Sequence, residues 1–355
     1  IIKMVFEGLI GTLVYYAIIG YIIHKTLCFI SRFIRISLKD KYVLITGCDT
    51  GFGNMISKRL QGLGANVISG CLTEKGKANL QKEADASGSE GKVFAILMDV
   101  TKDESVEKAL IEIKKIVGSN GLHAIINNAG VLRGEFFDTQ SIKEWDFQLQ
   151  VNVLGLARVT KAVLPLLIES KGRVINVASV AGIFGTEGTV SYNASKFAVV
   201  GLSDALRREL GDWGVKVSMV LPGIMNTPLW EIPLDPSNIQ RIWDSLSPEQ
   251  KKFYQSKQIF ITTYEQANFL VKTVNGDPKM VIDAMEQAVT ARFPFRRYFA
   301  GYDTFAFRFL AMLPDVVSDK LWDARYPLLK MPRVLPAGLA ERDRRLASAD
   351  SKKSQ

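Results

Sequence analysis

Beyond residue 40 the chain alternates between two hydrophobic patterns. Tyr42–Thr46 (YVLIT), Asn66–Ser69, Val93–Leu97 (VFAIL), Ala124–Ile126, Arg173–Val177 (RVINV) and Val215–Val220 (VKVSMV) are short, nearly unbroken apolar runs. Runs of that length without polar alternation read as strands buried on both faces. Helical patterning fills the gaps between them, over residues 52–63, 74–84, 103–117, 143–168 and 191–210. Such alternation predicts an α/β fold: a doubly wound parallel sheet with helices on both faces and ligands beyond the carboxyl ends of its strands. After Pro222 the alternation stops. Residues 228–277 scatter Trp230, Trp243, Phe253, Tyr254, Phe260 and Tyr264 among charges, and no element is assigned there. One more helix is expected at Lys279–Arg292 and a last strand at Tyr298–Gly301.

The amino end follows neither pattern. Gly8–Ile23 (GLIGTLVYYAIIGYII) carries no charge, and the apolar stretch resumes after His24 and Lys25 as far as Ile30. About 20 apolar residues are needed to span a bilayer. With Lys25 reaching an interface the stretch is long enough. No small-residue cleavage pattern follows it, so it reads as a membrane anchor rather than a signal peptide. Lys and Arg are in excess on its carboxyl side, from Lys25 to Lys41, which places the body in the cytosol. Phe305–Leu329 is aromatic and aliphatic with scattered charges, suited to lying on a bilayer or to packing as an ordinary terminal helix. The chain then divides into an anchor and basic linker (1–40), an α/β body (41–303), a hydrophobic segment (304–331) and a basic tail (332–355).

Composition removes several alternatives. With 47% apolar and 23% charged residues, the 355-residue chain is neither disordered nor collagen-like. Cys28, Cys48 and Cys71 form no C-x-x-C pair, which excludes a disulfide scaffold and a cysteine zinc site. His24 and His123 are the only histidines, so no His-rich metal site exists, and a Ser-His-Asp triad would have to use His123. The net charge of +9 is concentrated at the ends: residues 1–41 hold six basic against two acidic side chains, and residues 332–355 six against three. A nucleic-acid binder would concentrate basic charge on its folded body. Charge at the ends suits an anionic membrane surface instead.

Four motifs carry candidate chemistry, each at the carboxyl end of an expected strand. Thr46-Gly47-Cys48-Asp49-Thr50-Gly51-Phe52-Gly53 joins the first strand to the first helix, where glycines permit a tight turn and backbone N–H groups can approach a pyrophosphate. Asp99-Val100 closes the third strand; Asp99 could accept from an adenine amino group or cap the next helix. Asn127-Asn128-Ala129-Gly130 closes the fourth, where small and amide residues suit a nucleotide or a sheet edge. Ser179 closes the fifth, and Tyr192 and Lys196 stand i, i+4 on one face of the following helix. An ammonium beside a phenol favours the phenolate and is expected to lower the Tyr192 pKa towards that of a general base. Asn152 is an amide inside the long helix, where Leu or Ala would be preferred.

In order and spacing these motifs, with Pro222-Gly223, resemble the short-chain dehydrogenase/reductase family over about residues 40–300. CDTGFG (48–53), CLTEKG (71–76), ALRREL (205–210) and RYFAGYD (297–303) further resemble the membrane-bound retinol and hydroxysteroid dehydrogenases, of which 3-hydroxybutyrate dehydrogenase is a close cousin. Leu221 departs from that group, where Glu would precede Pro222-Gly223, and the departure bears on the substrate. The resemblance implies a Rossmann-type fold and hydride transfer between NAD(H) and a lipophilic alcohol such as a retinol or hydroxysteroid. Tyr192 would take the alcohol proton, Lys196 would lower its pKa and bind the nicotinamide ribose, Ser179 would hold the substrate oxygen, and Asn152 would fix a relay water. Gly47, Asp49, Gly51, Phe52, Gly53, Asp99, Val100, Asn127, Ala129, Gly130, Pro222, Gly223 and Thr227 would join Tyr192 and Lys196 in contacting the cofactor. It also implies the endoplasmic reticulum membrane, a lipophilic small-molecule partner and an allowed homodimer. Alternatives are an NADPH-dependent reductase of steroid or lipid ketones, a short hydroxy-acid dehydrogenase and a membrane-tethered nucleotide-binding scaffold. NAD is expected over NADP, because Ser69–Thr73 offers no cation for a 2′-phosphate, Asp49 brings negative charge, and Thr50 stands where NADP-type turns often carry a base. Lys75 is the one nearby base that could fold back.

Overall fold

The computed structural model describes residues 2–31, 34–230 and 235–325. Seven parallel strands, β1 (Tyr42–Thr46), β2 (Asn66–Cys71), β3 (Lys92–Leu97), β4 (Ala124–Asn127), β5 (Arg173–Val177), β6 (Lys216–Pro222) and β7 (Arg297–Ala300), form one sheet in the order β3-β2-β1-β4-β5-β6-β7. The order reverses between β1 and β4, so a crevice opens where their carboxyl ends part. Val43, Leu44 and Ile45 pair with Ala124, Ile125 and Ile126 there, and all six are fully buried.

The helices are α1 (Ile2–Ser31), α2 (Gly51–Gly62), α3 (Glu74–Asp85), α4 (Asp103–Val117), α5 (Ile142–Leu149), α6 (Leu156–Glu169), α7 (Val190–Glu209), α8 (Ser237–Ser245), α9 (Pro248–Tyr254), α10 (Gln258–Val274), α11 (Pro278–Thr290), α12 (Thr304–Leu310) and α13 (Asp315–Asp323). One face of the sheet is covered by α2, α3 and α11, through Ile56, Leu60, Leu80, Met285 and Val289. The other is covered by α4 and α6, through Ile113, Val117, Val163 and Leu167. This is the doubly wound parallel sheet expected from the apolar runs.

Three features depart from the expected elements. Residues 142–169 form one rod, but Gln150–Gly155 is a π-helical turn between α5 and α6. A Cβ on Gly155 would stand 2.7 Å from Val100 Cγ2, so the backbone can seat there only as glycine. The rod is long and apolar enough to cross a membrane, yet its apolar stripe packs on the sheet. Residues 228–277, left without elements, contain α8, α9 and α10. A signal was present: Ser247, with Pro248 and Gln250 behind it, makes a capping box at the start of α9. Residues 304–325 fold as two short helices instead of one stretch, broken at Leu313-Pro314. Residues 326–331 of the hydrophobic segment and the basic tail 332–355 lie outside the described residues.

α1 is a 30-residue helix, about 45 Å long at 1.5 Å per residue. Val14, Tyr15, Tyr16, Ile18, Tyr21, Ile22, Ile23, Leu27 and Ile30 are all exposed on it. The linker behind it is clasped by α11. Ile36 N–H donates to Thr290 O at 2.8 Å, Arg292 N–H donates to Ile34 O at 3.0 Å, and Arg35 bridges Ala291. The Glu286 carboxylate, 4% exposed, holds both Arg35 and Arg59, the latter at 2.6 Å. Glu286→Ala removes one buried acceptor from two guanidiniums that can reach water. A loss of about 1.5–3 kcal/mol is expected, read as a Tm lower by several degrees, with faster proteolytic cutting around residues 34–41.

Candidate active site

The crevice between β1 and β4 is held open by side-chain bonds at the strand ends. Thr46 Oγ1 accepts from Asn128 N–H at 3.1 Å and Ala129 N–H at 3.0 Å, and the Asn128 amide donates to Thr46 O and Gly47 O. Gly47 has φ +70°, and a Cβ on it would lie 2.8 Å from Ala129 Cα. A Cβ on Gly53 would lie 2.2 Å from Gly47 O, so the turn closes only on glycine. At Gly51, φ +59°, an added Cβ would meet nothing within 4 Å: this is where the turn has room. No side chain caps the start of α2, which leaves its first N–H groups for an anion. Asp49 accepts from Leu72 N–H at 2.8 Å, Thr73 N–H at 3.0 Å and Thr73 Oγ1 at 2.7 Å, so its charge stands against the loop after β2.

Gly47, Asp49, Gly51, Phe52, Asp99, Val100, Ala129, Gly130, Pro222, Gly223 and Thr227 all line one cleft of about 820 Å³. Burial pushes the Asp99 carboxyl up, but bonds from Thr101 and Lys102 outweigh it and hold the group below its ordinary value. Asn127 lies elsewhere. Its amide is 3% exposed and donates to Thr160 Oγ1 and Asn176 Oδ1, both at 2.8 Å, tying β4 to α6 and β5. Its side chain is structural, and the neighbour Asn128 takes the place at the cleft. Leu221 is fully buried with Ala178, Val199 and Met219. The departure at that position therefore concerns the core, not the substrate. His123 sits before β4, at the end of the sheet away from the cleft, bonded to Val289 O at 3.2 Å, and burial pushes it down to about 4. It can serve no triad in the cleft.

Tyr192, Lys196 and Ser179 converge in the cleft. Ser179 follows β5, where its Oγ accepts from Ala181 N–H at 3.1 Å and donates to Pro222 O at 3.5 Å, and its hydroxyl acts on the Tyr192 phenol so as to favour the charged form. Lys196 Nζ donates to Val177 O at 3.0 Å and stands 5.6 Å from the Tyr192 ring centroid. The expected lowering of the phenol does not appear. Burial raises Tyr192 to about 12, against the bond from Ser179, and burial pushes Lys196 down to about 8. Desolvation is the dominant influence on both groups. Asn152 braces the site more than it faces it. Its Oδ1 accepts from Val131 N–H at 2.8 Å, and its amide hydrogens go to Val131 O and Ser195 Oγ, both at 3.0 Å. Both amide hydrogens are thus committed to the protein. Ser195 Oγ in turn donates to Tyr192 O at 2.7 Å.

Other residues escaped the sequence reading because their partners are remote. Gln148 Oε1 accepts from Arg133 N–H at 2.7 Å and its amide donates to Ser191 Oγ at 2.5 Å, joining the loop after β4 to α7. Asp303 Oδ2 accepts from Ile224 N–H at 2.8 Å and backs Gly223, whose Cβ would strike Asp303 Oδ1 at 1.9 Å. Trp322 Nε1 donates to Glu187 at 2.9 Å, Arg325 pairs with Glu187, and Trp322 packs on Phe184 and Phe307 in the cleft wall. The inner side of α12–α13 thereby closes the cleft, while Phe305, Met312 and Val316 remain exposed on its outer side.

Comparison with known proteins agrees with this geometry. Residues 41–233 match the family model for short chain dehydrogenases. The chain is 38% identical to retinol dehydrogenase 16 of Rattus norvegicus over 291 residues, covering 80% of this chain and 88% of that protein. It is 37% identical to retinol dehydrogenase 7 of Mus musculus over 296 residues, 82% and 90% of the two chains. It is 35% identical to 17-beta-hydroxysteroid dehydrogenase type 6 of Bos taurus over 292 residues, again 82% and 90%.

The two roles at Asn127 and Asn128 separate experimentally. Asn127→Ala strands two buried partners and should cost about 1–3 kcal/mol, read as a lower Tm. The folded fraction should bind dinucleotide as the parent does, measured by titration calorimetry.

Proposed function

The chain belongs to the short-chain dehydrogenase/reductase family, and we propose that it transfers a hydride between NAD(H) and a lipophilic primary or secondary alcohol, such as a retinol or hydroxysteroid. It is an oxidoreductase of the group that contains the retinol and hydroxysteroid dehydrogenases. The observation that carries the finer reading is the buried Tyr192, lining with Ser179 and Lys196 a cleft walled by Phe136, Trp230, Ile242, Phe260, Phe307 and Trp322. That wall suits an apolar substrate of drug-like size. A short hydroxy acid would need a free cation, but Arg325 in the wall is paired with Glu187 and stacked on Trp322 at 4.0 Å.

The residues present fit a nicotinamide dinucleotide: a turn with room at Gly51, uncapped N–H groups at α2 and the Asp99 carboxylate in the same cleft. When bound, that cofactor supplies the hydride acceptor or donor. Tyr192 takes the alcohol proton in oxidation and returns it in reduction. Ser179 positions the substrate oxygen against Tyr192. Lys196, held by Val177 O, presents a cation that favours the phenolate as the proton moves. Asn152 fixes α7 through Ser195 and so sets where Tyr192 stands. Asp49 supports NAD over NADP: its carboxylate borders the cleft, where a 2′-phosphate would be repelled. α1, apolar and exposed, supports a membrane anchor with the body on the cytosolic side of the endoplasmic reticulum.

Tyr192→Phe should lower kcat by about 100- to 10,000-fold while leaving the cofactor Kd nearly unchanged, because only the proton-carrying oxygen is lost. Near-parental kcat would refute the assignment. Because burial holds the Tyr192 proton tightly, kcat/KM for alcohol oxidation should rise with pH from 7 towards 9, while carbonyl reduction, which uses the protonated phenol, should stay flat over the same range. Initial rates on retinols, 3α-, 3β- and 17β-hydroxysteroids and 3-hydroxybutyrate, with NAD and NADP in parallel, test the substrate and cofactor. A tenfold preference for NADP, about 1.4 kcal/mol, would overturn the reading of Asp49.

A further inference from the structure

Because the strands are parallel, their amino ends share the edge of the sheet opposite the cleft. Across four neighbouring strands, β1, β4, β5 and β6, the residues at or just before these ends are Lys41, His123, Arg173 and Lys216. They are adjacent in register: His123 N–H donates to Tyr42 O, Arg173 N–H to His123 O, and Arg173 pairs with Lys216. The carboxyl end of α11 answers part of this row. Arg173 Nη1 donates to Ala288 O and Ala291 O, both at 2.9 Å, and His123 bonds Val289 O. Cations at a helix carboxyl end need no further explanation.

The outer members of the row are different. Lys41, Lys171, Lys216 and Arg292 are exposed, and among the described residues none of them pairs with a carboxylate. Burial, with Arg173 and Arg292 beside it, pushes the Lys216 amine below its ordinary value. Two aromatic rings stand uncovered in the same patch. Trp213, 46% exposed, flanks Gly214, on which the Lys171 side chain packs, and Phe293, 59% exposed, lies 5.9 Å from Lys216 Nζ. Asp40, Glu169 and Asp212 are the acids nearest to it in sequence. The linker from α1 runs along this edge, since Ile34 and Ile36 bond to Arg292 and Thr290. Ser31 at the end of α1 is three residues from Ile34, a reach of at most about 11 Å.

We propose that this edge is the face set against the anionic membrane surface that holds α1, with Lys41, Lys171, Lys216 and Arg292 meeting lipid phosphates and carboxylates and Trp213 and Phe293 at headgroup level. The inference rests on α1 being a membrane anchor. Exposed aromatics among unpaired cations are the chemistry of a bilayer interface rather than of a protein core. The cleft then opens away from the bilayer, and the outer face of α12–α13 stands at the far end of the strands.

The test uses the full chain in phosphatidylcholine nanodiscs, with and without phosphatidylserine, carrying a headgroup nitroxide that quenches tryptophan. The proposal expects a quenched component that disappears in Trp213→Phe, is strong with phosphatidylserine, and falls to the neutral-disc level in Lys171→Gln/Lys216→Gln/Arg292→Gln or at high salt. The charge-keeping Lys171→Arg/Lys216→Arg variant should retain it, and circular dichroism of each variant checks the fold. Equal quenching in neutral discs, no effect of the triple change, or a component that disappears in Trp322→Phe instead would overturn the proposal. A chain that elutes apart from the discs overturns the anchor reading itself, a result distinct from a disc-bound chain whose Trp213 is unquenched.

Discussion

The separation of β1 from β4 at their carboxyl ends is the constraint on which the rest depends. Parallel strands in register would continue pairing beyond Ile45 and Ile126 unless something satisfied their backbone groups another way. Thr46 and Asn128 do that, each bonding backbone of the other strand. Once their bonds are made, Gly47 must take positive φ against Ala129, and Gly53 must carry no side chain beneath Gly47 O. The turn that results leaves the uncapped end of α2 lining the same cleft as Gly130. A Cβ on Gly130 would stand only 3.7 Å from Lys196 Nζ, so the loop after β4 meets α7 at the same cleft that the glycine turn lines.

Burial governs the electrostatics of that junction. Viewed on a helix surface, a lysine one turn from a tyrosine should lower the phenol. The cleft instead desolvates both groups, raising Tyr192 and weakening the charge on Lys196. The Val177 carbonyl keeps the ammonium in place at 3.0 Å, while the Ser179 hydroxyl favours the charged form of the phenol. Tyr192 therefore keeps its proton at neutral pH. Side-chain spacing revealed which groups are involved. It could not reveal their proton affinities, which depend on α7 being covered by residues far away in the chain.

The same division runs through the fold. Strands buried on both faces announce themselves as unbroken apolar runs, so the five inner strands were legible that way, while the half-buried edge strands β3 and β7 were marked by VFAIL and by the apolar positions of RYFAGYD. Helix α8 was not, because Ile239, Ile242, Trp243 and Leu246 pack against Phe136, Tyr254 and Phe260 and not against the sheet. No strand marks where that cluster begins, and only the Ser247 capping box signalled a helix. Within NNAG, nothing local distinguishes Asn127 from Asn128. The alternation of side chains along β4 sends the first towards Thr160 and Asn176 and the second towards the turn. Gln148, Asp303 and Glu286 act on partners between 15 and 251 positions away, which no motif encodes.

Residues 278–303 join the two ends of the molecule. At its carboxyl end α11 receives the linker from α1, and Glu286 fixes that linker to α2 through Arg35 and Arg59. Eleven residues after α11 starts its last turn the chain is already in β7, whose end leads to Asp303 and so to Gly223 at the cleft. Ser218 Oγ donates to Phe295 O at 2.7 Å and Tyr298 Oη accepts from Phe295 N–H at 2.8 Å, which stiffens the intervening turn. One short, well-bonded segment therefore sets both how the body hangs from α1 and how the floor of the cleft is held. Perturbing its first half changes the attachment of α1, while perturbing its second half reaches Gly223 and the wall of the cleft directly.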